Sequence, residues 1–316
     1  MKRLLYITLA LILLSSCSGG KKVQNVLQTR KFPVLEVPAM LTDRQEVLSY
    51  AGAHFWDAFF SGSGITDTSA VLGVPNADLH GATAEYLQIV SSLPLAEGRK
   101  DIGKFFDKME HRHAEDTSAH IYLLLTEMMS DYLYGTDSPY RDEDLYCTFV
   151  SRMLDSPYTQ DNLRTSCEFE KRVCSLNPRE SVATDFRFRD IRGRNYSLHG
   201  VDADYIVLFF SNPGCHACGQ IMESLKASPR LDYLQQSGRL KVVNIYIDRE
   251  LDKWREYVPN YPSEWITGYD YNFVIRDDSI YNVRAIPSLY LLGPGKRVIF
   301  KDAPTEKVLA FLENIN

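Results

Sequence analysis

The chain has 316 residues, 45% of them hydrophobic, with 41 acidic against 35 basic side chains and a formal net charge of −6. That length allows two domains and a sizeable core, and the acidic balance argues against nucleic acid as a partner. After the N-terminus there is no apolar run of the roughly 18 residues a membrane helix needs, so no internal span is expected.

The first residues read as a targeting segment: Lys2 and Arg3, an apolar run from Leu4 to Leu14, then small residues. The run is too short to cross a bilayer, as in a signal peptide. Leu14-Ser15-Ser16-Cys17 resembles the bacterial lipobox. That resemblance implies a lipoprotein signal over 1–17, with Cys17 as the lipidated first residue of the mature protein. Residues 18–31 are polar and read as a flexible tether. The expected location is the bacterial cell envelope, facing the periplasm, with a lipid anchor at the membrane.

Residues 32–178 read as an all-helical domain. Thr42-Asp43-Arg44-Gln45 has the form of a capping box with Thr42 at the cap, ahead of Val47, Leu48, Ala51, Phe55 and Phe59 on one face. Ser61 to Pro75 reads as a loop. Helices are expected over 77–92, 98–112 and 117–134, the last closed by Gly135. Asp137-Ser138-Pro139-Tyr140 and Asp155-Ser156-Pro157-Tyr158 repeat one pattern eighteen residues apart, and each reads as a serine cap followed by a first-turn proline. His111 and His113 read as a solvated helix end, and His54 and His120 as satisfied amphipathic positions. Cys167 and Cys174 are seven apart on one helix, too far to bridge. Either would reach Cys147 across a helix pair, but buried free thiols are the preferred reading.

The second domain is expected over 179–316. Ala183 to Phe188 and Arg192 to Leu198 read as a β-hairpin with Gly193 in its turn. Tyr205 to Phe210 is an apolar, aromatic run of the kind that forms a buried parallel strand. Cys215-His216-Ala217-Cys218 follows, and Gly219 to Ala227 reads as a helix. The cysteines therefore sit where a strand turns into a helix. Free N–H groups and the positive end of the helix dipole there favour an anion, so Cys215 should ionise readily. Cys218, one turn on, is placed to attack a mixed disulfide formed on Cys215. A Cys-x-x-Cys pair is also half a zinc site, but no second pair is present and His111 and His113 point apart. Two inert core cysteines are the bland reading, and they fit a turn such as Asn212-Pro213-Gly214 poorly. Downstream, a helix is expected at Pro229 to Gln236, a strand at Leu240 to Ile247 and a short helix at Leu251 to Tyr257. A strand, turn and strand through Leu289 to Phe300 and a closing helix from Thr305 complete a mixed sheet sandwiched by helices.

Asp185-Phe186 with Gly193 and Leu198, the Cys-x-x-Cys after an aromatic strand, and Ala285-Ile286-Pro287-Ser288-Leu289-Tyr290 together resemble the thioredoxin-like proteins of the TlpA/ResA type. The resemblance covers about residues 178–316. It implies an α+β two-domain chain whose C-terminal part is a thioredoxin-like α/β/α sandwich. It also implies a cis Pro287 facing the cysteines and an Ile286 that offers its backbone to an extended substrate chain. The helical half resembles the N-terminal domain of unknown function found on envelope lipoproteins of this sort. Two positions depart from the family pattern. Phe209 stands where many members carry a buried acid six residues before the first cysteine, and Gly214 replaces the usual aromatic residue. No alternative carrier for the Cys218 proton is evident, and Glu223 is not placed to be one. His216 reads equally as a stabiliser of the Cys215 thiolate and as a solvent-facing residue.

The expected function is an envelope thiol–disulfide oxidoreductase, with Cys215, Cys218 and Pro287 as catalytic residues, Ile286 in substrate binding and the reductive direction favoured by the resemblance. No cofactor or metal is expected, because the cysteines carry the electrons. Expected partners are protein thiols and disulfides, and an upstream protein that recharges the pair. The alternative is a binding or scaffold lipoprotein in which the fold only presents the helical domain. A peroxidase is a weaker reading, since the Pro-x-x-x-Thr-x-x-Cys pattern is absent.

Overall fold

The computed structural model describes residues 29–117 and 120–315. The expected signal segment with Cys17 and the expected tether up to residue 28 lie outside the described residues. Among the described residues no helix is long and apolar enough to cross a membrane.

The helical body is built from α1 (Arg44–His54), α2 (Asp57–Phe60), α3 (Asn76–Ser92), α4 (Leu95–Glu115), α5 (Ile121–Tyr134), α6 (Glu143–Asp155) and α7 (Asp161–Cys174). Its core is aromatic. Trp56, Phe59, Tyr86, Phe105, Phe106 and Phe149 are fully buried, and Trp56 meets Phe105 edge-on with centroids 4.9 Å apart. The chain joins this body early, because the Arg30 guanidinium donates to the carbonyls of Phe59 and Leu72 and Phe32 packs on the core.

Several local expectations need correction. The α1 cap is Asp43, whose carboxylate accepts from the N–H groups of Gln45 and Glu46, and not Thr42; an ionised acceptor at that position is the stronger cap. The two Asp-Ser-Pro-Tyr repeats do not open helices. Each is a turn in which the serine Oγ accepts from the tyrosine N–H two residues on, at 3.2 Å in both, and the helices start five residues after each serine, at Glu143 and Asp161. Within the expected loop, β1 (Ala70–Val71) and β2 (Val74–Pro75) pair as a small hairpin around Gly73. His113 is buried against Tyr122 and Tyr158, and only His111 is solvated. An apolar pocket formed by a later helix and a turn took His113 in, and nothing near it in the chain signals this.

The second domain is a seven-stranded mixed sheet of order β4-β3-β7-β6-β5-β8-β9. The strands are β3 (Arg187–Arg189), β4 (Asn195–Ser197), β5 (Tyr205–Phe210), β6 (Leu240–Tyr246), β7 (Ile266–Tyr269), β8 (Ser288–Gly293) and β9 (Arg297–Phe300). β5, β6 and β7 run parallel, β8 returns antiparallel to β5, and β9 runs antiparallel to β8. Strand β7 is short and Gly-interrupted and, like β1 and β2, does not stand out in the sequence. One face packs α8 (His216–Lys226), α9 (Pro229–Gln236) and α11 (Thr305–Glu313) on Val207, Phe209, Val242 and Leu291. α10 (Leu251–Tyr257) anchors Trp254 on Tyr246 and Tyr269. The other face buries Phe186, Phe188, Tyr281 and Tyr290 against Ile206, Leu208 and Ile245. The α+β two-domain architecture is thus the one expected.

The two parts meet at the start of α6. Asp142, Glu143 and Asp144 are buried there and receive cations from the sheet domain and the linker. Arg179 pairs with Asp142 and Asp144, Lys307 reaches Asp142 at 2.9 Å, and Arg284 lies 3.3 Å from Glu143. Lys301, on the turn after β9, donates to the carbonyls of Cys174 and Leu176 at the end of α7.

Candidate functional site

Strand β5 ends at Phe210, and Asn212-Pro213-Gly214 carries the chain over the sheet edge into α8. Gly214 adopts φ +70°, a left-handed turn that a side chain would strain. The Asn212 carbonyl accepts the Cys215 N–H at 3.3 Å, and its Nδ2 donates to Asp248 at 2.6 Å, tying the turn to the end of β6. Cys215 is the N-cap residue of α8, with φ −72° and ψ 113°, and its Sγ accepts the Cys218 N–H at 3.1 Å. A disulfide joins Cys215 and Cys218. Cys215 is partly exposed, whereas Cys218 is buried at 5% exposure in the cluster with Phe209, Leu225 and Trp265. His216 is exposed on the first turn, and Glu223 pairs with Lys226 at the surface. The first sulfur is therefore within reach of a partner, and the second is sheltered behind it.

Ser288, the first residue of β8, pairs in register with Phe210, the last of β5. This places the segment before Ser288 at the same sheet end as the cysteines. The Ile286–Pro287 bond is cis, and Ile286 packs against the cluster that holds Cys215 and Cys218. Behind this loop, Ser288 Oγ donates to Asp302 at 2.9 Å and Arg284 pairs with Asp302 at 2.6 Å. Arg284 also donates to the Tyr134 carbonyl and lies over the Tyr134 ring at 3.8 Å, so the helical body supports the proline loop directly.

On the Cys218 face the sheet carries a small polar cluster that the sequence reading did not find. Asn244 pairs in register with Phe209 and is buried at 1% exposure. Ser211 Oγ donates to Asn244 Oδ1 at 2.6 Å and lies 3.1 Å from the Tyr261 hydroxyl. Burial raises the Tyr261 pKa, against the opposing pull of the nearby Ser211 and Asn244 side chains. A lone Asn inside Leu240-Lys241-Val242-Val243-Asn244-Ile245 was the only available signal.

The other singled-out residues stay apart from this site. Cys147, Cys167 and Cys174 are free thiols in the helical body, and burial, reinforced by Glu143, pushes the Cys174 thiol far above its ordinary range. Among the described residues no group of three His, Cys, Asp or Glu side chains is placed to hold a metal ion.

A family model described as a domain of unknown function (DUF5106) matches residues 15–171. Among solved structures, a thioredoxin-like protein from Bacteroides caccae ATCC 43185 is 30% identical with a TM-score of 0.75, covering 91% of this chain and 99% of its own. The C-terminal domain of an uncharacterized protein from Bacteroides fragilis NCTC 9343 is 40% identical with a TM-score of 0.43, over 44% of this chain and 99% of its own. A thiol:disulfide interchange protein from a Bacteroides species is 19% identical with a TM-score of 0.38, over 43% of this chain and 89% of its own. No curated protein matches the chain. With a relative of that identity aligned over nine-tenths of its length, the chain belongs to the thioredoxin-like proteins and carries the DUF5106 domain as its N-terminal half.

Proposed function

We propose that the protein is an envelope thiol–disulfide oxidoreductase that acts on protein disulfides through Cys215 and Cys218. The observation that carries this reading is a disulfide whose outer sulfur caps a helix, at the sheet end that also holds the cis Ile286–Pro287 bond. In the reduced protein the α8 N-terminus favours the Cys215 thiolate. That thiolate attacks one sulfur of a substrate disulfide, forming the mixed disulfide and releasing the other sulfur as a thiolate. Cys218 then gives up its proton and attacks the Cys215 sulfur, and the first substrate sulfur leaves as a thiol. Two electrons pass from the cysteine pair to the substrate, and no other cofactor takes part.

Ser211, Asn244 and Tyr261 are the polar side chains on the sheet face that shelters Cys218. None of the three is a base at neutral pH, so in place of the acid that Phe209 displaces the Cys218 proton passes to water. Pro287 holds the loop before β8 against the cysteines, and Ile286 offers its backbone to the substrate. An upstream dithiol protein recharges the pair, and a lipid on Cys17 keeps the protein at the membrane.

The test is a trap. With insulin as the disulfide substrate, Cys218→Ala should accumulate a mixed disulfide through Cys215, visible on a non-reducing gel and mapped by peptide mass. Cys215→Ser should form none and should turn over no insulin. A Cys215→Ser protein as active as wild type would reject the reading and leave the alternative, a scaffold that only presents the helical domain.

A further inference from the structure

A groove of about 690 Å³ opens between the helical body and the sheet domain, beside the disulfide turn. Tyr134 of α5 with Phe169 and Val173 of α7 form one wall; Asn212, Ile275 and Ile286 form the other. Phe169 is 54% exposed and lines this groove, with the Arg172 guanidinium 5.1 Å from its ring centroid. At the floor, the N–H and C=O groups of Ala285 and Ile286 take part in no backbone hydrogen bond among the described residues. The charges lining the groove are already engaged. Glu170 accepts the Tyr146 hydroxyl at 2.6 Å, Asp248 pairs with Arg276, and Arg284 pairs with Asp302.

An exposed aromatic side chain in a mixed lining, main-chain donors and acceptors without backbone partners, and internally paired charges suit one kind of occupant. We propose that the groove holds an extended polypeptide segment with apolar residues around its cysteine, and that the helical domain selects substrates through Phe169. Ile286 joins the groove to the cysteines, since it lines the groove and also packs on the cluster that holds Cys215. A chain paired with the Ile286 backbone as an added strand projects alternate side chains sideways. One set faces the cysteines and the next meets α7. The helical half then contributes to the reaction by choosing which disulfides reach Cys215.

This inference rests on the oxidoreductase reading, and the two fail in different ways. Reduced protein is mixed in single turnover with three probes: hydroxyethyl disulfide, a peptide dimer whose cysteine is flanked by Leu and Val, and one whose cysteine is flanked by Ser and Asp. Wild type should reduce the apolar peptide about tenfold faster than the polar one. Phe169→Ala should erase that preference while changing the hydroxyethyl disulfide rate less than about twofold, and Phe169→Leu should restore most of it, as expected for loss of one aromatic contact. Equal rates on both peptides in wild type, or a Phe169→Ala protein with its preference intact, would overturn the groove. An equal loss on all three probes would overturn it too. Reduction of none of them by wild type would overturn the oxidoreductase reading itself.

Discussion

At the cysteine pair, the Cys215 sulfur lies partly open at the start of α8 and accepts a backbone N–H, whereas Cys218 is sealed against Phe209 and Trp265. Hydrogen bonding to the charged form stabilises it, and burial does the opposite. Cys167 and Cys174 in the helical body lie on the unfavourable side of that balance, with Cys174 held far above its ordinary range. Brief alkylation of the reduced native protein with iodoacetamide at pH 7 should therefore modify Cys215 first. Cys167 and Cys174 should stay unmodified until the chain is unfolded, and peptide mass mapping reads the order. Early loss of Cys174 would show that the helical core opens far more readily than its packing implies. The cysteine pair was legible in the sequence because its spacing and the flanking strand and turn are local features. Asn244 was not, since its partners Ser211 and Tyr261 lie 33 and 17 residues away and only the folded sheet brings them together.

Among the elements, α6 opens with Asp142 as its cap and Glu143 and Asp144 in its first turn. All three are buried because basic side chains from far along the chain fold onto them. Burial would raise the Asp142 pKa, but Lys307 and Arg179 more than offset it and hold this carboxyl well below the usual range. For Glu143, burial wins. With help from Asp302 and Asp144 it pushes the pKa from 4.5 up to about 8, against the pull of Lys301 and Arg284. Between those two values the native state keeps a proton that the unfolded chain has released. The stability this group contributes is complete below pH 4.5 and is lost as pH rises through about 8. Wild type should accordingly lose stability relative to Glu143→Gln between pH 5 and pH 8.5, because Gln can still accept from Asn282 and does not titrate. Urea unfolding of both proteins across that range tests it, and parallel curves would exclude the assignment. The Asp-Ser-Pro-Tyr pair teaches a related point. Its serines do bind nearby N–H groups, but as turns, since the capping signal does not say how many residues later a helix will start.

Across the whole molecule, Arg284 couples the halves, touching Tyr134 of the helical body, Glu143 at the junction and Asp302 beneath the proline loop. Replacing it with Met takes the nearest cation from buried Asp302, which among the described residues keeps only the Ser288 hydroxyl and Arg141 at 4.0 Å, an effect of about 3–5 kcal/mol. The urea midpoint of Arg284→Met should drop accordingly, and insulin turnover should fall with it even where the variant remains folded, because Arg284 stands just ahead of Ile286 and Pro287. Lys301 offers a different consequence. Its ammonium, itself shut off from water, hands hydrogen bonds to the last carbonyls of α7. Pulling the halves apart would strand that cation without an oxygen to hold, so the lysine, with Lys307 and Arg284 beside it, clasps the end of the helical body to the sheet.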